Sequence, residues 1–111
     1  DVLEKGNIGD TYNIGGNNEV KNIDVVNKIC RHLDDLVQAK PNSIKSFSEL
    51  ISFVDDRPGH DKRYAINNSK ISKDLNWYPH ENFESRILKT VKWYLANKKW
   101  WTRVISKEYR L

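Results

Sequence analysis

Asp55-Asp56-Arg57-Pro58-Gly59-His60-Asp61-Lys62-Arg63-Tyr64-Ala65-Ile66 is the stretch whose reading decides the fold. It joins two β-like runs, Leu50-Ile51-Ser52-Phe53-Val54 and Arg63-Tyr64-Ala65-Ile66, across a turn built on Pro58-Gly59. Proline sets its own φ and glycine accepts the conformations that tight turns require. The turn therefore carries Arg57, His60, Lys62 and Arg63 at one end of an expected sheet. An arginine fork makes two charge-assisted hydrogen bonds to a phosphate, so this is suitable chemistry for one. A solvated basic turn is the alternative, since charged turns are common.

Outward from the turn, the pattern reads as α/β: short strands with three helices. Thr11-Tyr12-Asn13-Ile14 reads as a strand ended by Gly15-Gly16. Asn22 is a good helix N-cap, and Ile23, Val26, Ile29, Cys30, Leu33, Leu36 and Val37 then recur at helical spacing to about Gln38. Pro41-Asn42-Ser43 breaks the chain. Asn67-Asn68-Ser69 offers caps for a short helix carrying Ile71 and Leu75, and Asn76 suits a left-handed close. A last helix spans about Phe83 to Asn97, with Phe83, Ile87, Val91 and Tyr94 on one stripe. A tail follows with Trp100, Trp101 and Tyr109.

The 111 residues suffice for one domain with a modest core. Residues 1–56 hold six Lys/Arg and ten Asp/Glu, net −4; residues 57–111 hold thirteen and five, net +8. The basic half faces an anionic ligand, nucleic acid or simply water. A nucleic-acid module predicts aromatics interleaved with Lys/Arg on a sheet face. Here the aromatics gather in the last helix and tail, so no nucleic-acid partner is expected. No apolar run reaches the roughly 18 residues of a membrane span, and no signal peptide is visible at Asp1. A single cysteine, Cys30, excludes an internal disulfide framework. These features lead to the expectation of a cytoplasmic protein without a membrane partner.

Catalytic motifs are sparse. There is no G-x-G-x-x-G and no P-loop, and His32, His60, His80 and Cys30 lack metal-ligand spacing. Tyr94-Leu95-Ala96-Asn97-Lys98 matches Tyr-x-x-x-Lys, a spacing that arises often by chance. Tyr94 falls on the apolar stripe and reads as a core tyrosine, so no catalytic and no metal residue is assigned.

Taken together, several segments resemble the C-terminal part of the bacterial dTDP-glucose 4,6-dehydratases, within the extended short-chain dehydrogenase/reductase family. They are Tyr12-Asn13-Ile14-Gly15-Gly16 with Asn18-Glu19 and Asn22; Asp56-Arg57-Pro58-Gly59-His60-Asp61; Arg63-Tyr64-Ala65-Ile66; Lys70-Ile71; Trp77-Tyr78-Pro79; Phe83-Glu84; and Thr90-Val91-Lys92-Trp93-Tyr94-Leu95. The sequence departs from the family pattern at Asn67, Asn76 and Arg86, where aspartate, glycine and glycine are usual.

The resemblance implies a small substrate-binding domain, residues 17–111, preceded in 1–16 by the last strand of a segment linked to a Rossmann core. That core is expected to be missing here. In such enzymes a Rossmann domain binds NAD, the sugar is oxidised at C4, water leaves across C5–C6, and hydride returns to C6. This chain alone is expected to be inactive and to bind no NAD. Its implied partners are a dTDP-sugar and the Rossmann domain, with self-association or domain swapping through surfaces that domain would cover. The implied substrate-binding residues are Arg57 on the diphosphate, His60 beside the nucleotide or a phosphate oxygen, and Asn22 at a helix start, with Asp56, Pro58, Gly59 and Asn18 around them. A related sugar-nucleotide epimerase or decarboxylase shares this grip. A standalone interaction domain using the tryptophan-rich end is a reading from another class.

Overall fold

Five α-helices and two 3₁₀ turns account for the regular structure of the computed structural model, which describes residues 1–61 and 63–108. Lys62 of the basic turn and Tyr109 of the tail lie outside the described residues. The helices are α1 (Val2–Lys5), α2 (Asn22–Leu36), α3 (Ser69–Leu75), α4 (Phe83–Ala96) and α5 (Lys98–Ile105). The 3₁₀ turns are Pro41–Ser43 and Phe47–Leu50.

The expected α/β class is overturned. Among the described residues there is no strand; the only β pairing is one isolated antiparallel bridge, Lys21 to Arg63. Thr11–Ile14 and residues 64–66 contain no helix and no β bridge, while Leu50 closes a 3₁₀ turn. β-Branched and aromatic residues mark a segment suited to a pleated, half-buried surface. A strand forms only when a neighbouring segment completes the ladder and its cross-strand side-chain pairs. Phe53 and Val54 are each 84% exposed, so the packing partner that would stabilise a strand there is missing.

The chain divides into two compact units. The first comprises residues 1–26 and 52–83. Its core is α3, where Ile71 (1% exposed) and Leu75 lie one turn apart and are both buried. Burying an isoleucine fully contributes about 1.5–3 kcal/mol. Asn76 closes α3 in the left-handed conformation, φ 52° and ψ 34°, at the position where the resemblance leads one to expect glycine. Asn68 occupies the N-cap position but makes no capping bond. It is buried, and its Nδ2 donates to the Gly15 carbonyl at 3.0 Å. Asn67 accepts from the Ser69 amide at 2.9 Å instead. Lys70 joins this region to residues 10–12: it pairs with Asp10, donates to the Thr11 carbonyl and lies 4.8 Å from the Tyr12 ring centroid.

The second unit comprises residues 27–51 and 84–111. Cys30 on α2 and Val91 on α4 are its buried apolar residues. Lys28 pairs with Glu84. Asp34 on α2 accepts from Ser46 Oγ at 2.6 Å and from the Phe47 amide at 2.9 Å. These bonds hold its carboxyl below the ordinary carboxylate range, with Lys40 adding a smaller pull at 3.6 Å. Ser46 and Glu49 complete a capping box for the second 3₁₀ turn.

The end of the chain corrects two expectations. Its tryptophans stand on a helix, α5, rather than in an irregular tail. Asn97 separates α5 from α4: its amide N–H and its Nδ2 both donate to the Trp93 carbonyl, at 2.9 and 2.8 Å. Tyr94 and Lys98 therefore belong to different helices, and the Tyr-x-x-x-Lys spacing does not describe one continuous helical face. Tyr94 is also 48% exposed rather than a core residue. Its ring packs edge-on against Trp93 and Trp100, with centroids 5.2 and 6.4 Å away.

Candidate functional site

Arg57-Pro58-Gly59-His60 forms a closed four-residue turn in which the His60 amide donates to the Arg57 carbonyl at 3.2 Å. Gly59 has φ +74°, the geometry that a type II turn demands at its third residue, with proline favoured just before it. A side chain at Gly59 would meet no atom within 4 Å, so glycine is required there by conformation and not by space. The turn sets Arg57 and His60 at its two ends. His60 Nδ1 lies 2.5 Å from Asp56 Oδ1, and the imidazole N–H donates to the carboxylate. Asp56 thus orients His60 rather than Arg57. Among the described residues Arg57 forms no ion pair, the nearby pairs being His60 with Asp56 and Arg63 with Glu19.

Asn22 is not the N-cap of α2. It is the first helical residue, and the carbonyl of the preceding Lys21 accepts from Asp24 and Val25 at 3.0 and 3.2 Å. The Asn22 carboxamide turns to the basic turn and donates from Nδ2 to the Asp61 carbonyl at 3.2 Å. Asn22 is thereby joined to the residue just past the turn that carries Asp56, Arg57, Pro58, Gly59 and His60.

Asn18 sits apart from that turn. With Asn17, Glu19, Ala65, Ile66 and Asn67 it lines an open hollow of about 510 Å³. Glu19 bonds to Arg63 at 2.6 Å. That pair carried no local signal, because its members are 44 positions apart and neither belongs to a motif with fixed spacing. Among the described residues no cluster of His, Cys, Asp and Glu is arranged to hold a metal, and no helix is long and apolar enough to cross a membrane.

A family model described as GDP-mannose 4,6 dehydratase matches residues 4–90. The chain belongs to this GDP-mannose 4,6 dehydratase family. Relatives within reach of it include a dTDP-glucose 4,6-dehydratase of Escherichia coli, 59% identical over 109 residues. That match covers 98% of this chain and 30% of the relative. A dTDP-glucose 4,6-dehydratase of Neisseria meningitidis serogroup B is 53% identical, covering 99% and 31%. Among solved structures, the dTDP-glucose 4,6-dehydratase of Bacillus anthracis in complex with NAD superposes with a TM-score of 0.69 at 42% identity. It covers 91% of this chain and 28% of that one. This member of the GDP-mannose 4,6 dehydratase family corresponds to the C-terminal part of bacterial dTDP-glucose 4,6-dehydratases and spans about 30% of their length.

Proposed function

We propose that this chain is the substrate-gripping part of an NAD-dependent dTDP-glucose 4,6-dehydratase, which converts dTDP-glucose to dTDP-4-keto-6-deoxyglucose. The observation that carries this reading is the Arg57–His60 turn, with a guanidinium that no carboxylate among the described residues occupies, tied to the start of α2 through Asn22 and Asp61. Arg57 supplies a fork for the diphosphate. His60, held by Asp56, supplies a second group at the other end of the same turn. The first turn of α2 adds amide N–H groups and the positive end of a helix dipole beside Asn22. Asn18 reaches the sugar or the base from the neighbouring hollow. Binding energy gathered at the diphosphate, remote from the reacting carbons, orients the sugar and supports catalysis without touching the bonds that change.

The residues here do not fit a nicotinamide dinucleotide. A dinucleotide cradle needs a glycine-rich turn running from a strand directly into a helix. Of the chain's five glycines, Gly15 and Gly16 precede an irregular stretch before α2, and Gly15 is packed against Ile66. NAD binding and hydride chemistry are therefore assigned to other parts of a longer enzyme, and no step of them is routed through these residues. On this reading the chain given NAD and dTDP-glucose forms no 4-keto product.

The test is a titration of the chain with dTDP and, separately, with thymidine, followed by phosphorus and proton NMR. Binding that depends on the diphosphate, with His60 resonances moving, is the expected result. Equal response to dTDP and thymidine, or none to either, refutes the reading.

A further inference from the structure

The basic turn lies on a stretch without strand pairing, so whatever aims it must act locally. Two contacts stand at its C-terminal side. Asn22 Nδ2 donates to the Asp61 carbonyl at 3.2 Å. Two residues further on, Arg63 forms the isolated antiparallel bridge with Lys21 and its Nη1 reaches Glu19 Oε2 at 2.6 Å. The anchoring residues, Glu19, Lys21 and Asn22, are almost consecutive, as are Asp61 and Arg63, which they hold. A single hydrogen bond leaves the turn free to pivot about it. The ion pair and the bridge at Arg63 give a second attachment two residues away, which removes that freedom.

We propose that Glu19 and Arg63 are positioning residues: together with Asn22 they form a clasp that sets the direction of Arg57 and His60 relative to the start of α2. This inference rests on the reading of the turn as a diphosphate grip. Both side chains are more than half exposed, 58% for Arg63 and 53% for Glu19. An exposed ion pair adds little to global stability. Its effect is therefore expected in the aim of the turn, and so in ligand affinity, far more than in the melting temperature. Glu19 carries the charge that an anionic ligand would repel, so its usefulness to binding must be indirect, through Arg63.

Charge exchange separates this clasp from the alternative that Arg63 itself contacts the ligand. Glu19→Gln and Arg63→Gln are each expected to weaken dTDP binding about three- to fivefold, within what one exposed pair can contribute. Both variants should melt within a few degrees of the unsubstituted chain. The exchanged pair, Glu19→Arg with Arg63→Glu, is expected to recover most of the affinity. Loss of affinity in both single variants with recovery in the exchanged pair supports the clasp. Failure of the exchanged pair to recover overturns it and makes Arg63 a direct contact. Normal affinity in both single variants, with Arg57→Ala still weak, overturns the clasp and leaves the grip standing. Absence of dTDP binding by the unsubstituted chain, or normal binding by Arg57→Ala, overturns the grip and the clasp with it.

Discussion

Replacing Arg57 by alanine tests the grip most directly, because the structure separates its two possible roles. Its carbonyl closes the turn by accepting from the His60 amide, a bond that any residue at this position keeps. Its side chain forms no ion pair among the described residues; Asp56, the adjacent acid, is bonded to His60. Arg57→Ala therefore removes no internal contact of this kind, and stability should change by no more than about 0.5 kcal/mol, as for other surface sites. Binding should respond strongly. A hydrogen bond to a charged group contributes about 1.5–3 kcal/mol, which is roughly a ten- to more than hundredfold loss of dTDP affinity. Arg57→Lys should fall between, since lysine keeps a point charge and loses the bidentate fork. Calorimetric titration with dTDP and a thermal melt of each variant provide the two readouts. An Arg57→Ala chain that melts normally and binds dTDP normally refutes the diphosphate role. A chain that melts early with its affinity intact shows that Arg57 serves the turn instead.

Three further outcomes are expected. Asn68→Ala strands the Gly15 carbonyl that Asn68 Nδ2 now satisfies, which costs about 1–3 kcal/mol and should lower the melting temperature by several degrees; an unchanged melting temperature would show that this bond adds nothing. Asp34 has a folded-state pKa below its unfolded value, so its stabilisation is complete above the unfolded pKa and lost as the pH falls below about 4. Asp34→Asn should flatten the acid limb of the stability profile, and an identical limb in both proteins would contradict the bonds to Ser46 and Phe47. Finally, Phe53, Val54, Trp93 and Trp100 leave apolar surface exposed, so sedimentation should show association that grows with concentration. A strictly monomeric chain at high concentration would argue against it.

Much of the local structure was legible in the residues. The turn follows from Pro58-Gly59, and the three expected helices appear at Asn22–Leu36, Ser69–Leu75 and Phe83–Ala96, with Asn76 in its left-handed close. Their signals are short-range: apolar residues three and four apart, and backbone angles that few residue types tolerate. The capping box at Ser46 and Glu49 was readable by the same logic, as Ser-x-x-Glu, and so was the amphipathic period of Lys98–Ile105. The strands failed because strand formation is not a local property. Thr11–Ile14, 50–54 and 63–66 have the composition of strands, but a ladder needs a second segment at the right distance and register.

For the candidate site, the sequence alone determined which groups the turn carries and where its corner lies, because Pro58 restricts the backbone and Gly59 permits the positive φ the turn needs, whatever surrounds them. Only the tertiary structure decided their partners. It gave Asp56 to His60, Asn22 to the Asp61 carbonyl and Glu19 to Arg63. The last two join residues 39 and 44 positions apart. Each polar group had several acceptable partners within its own neighbourhood, and side-chain chemistry does not rank them. The choice was made by which segments the packing around α3 and the start of α2 brought within hydrogen-bonding distance.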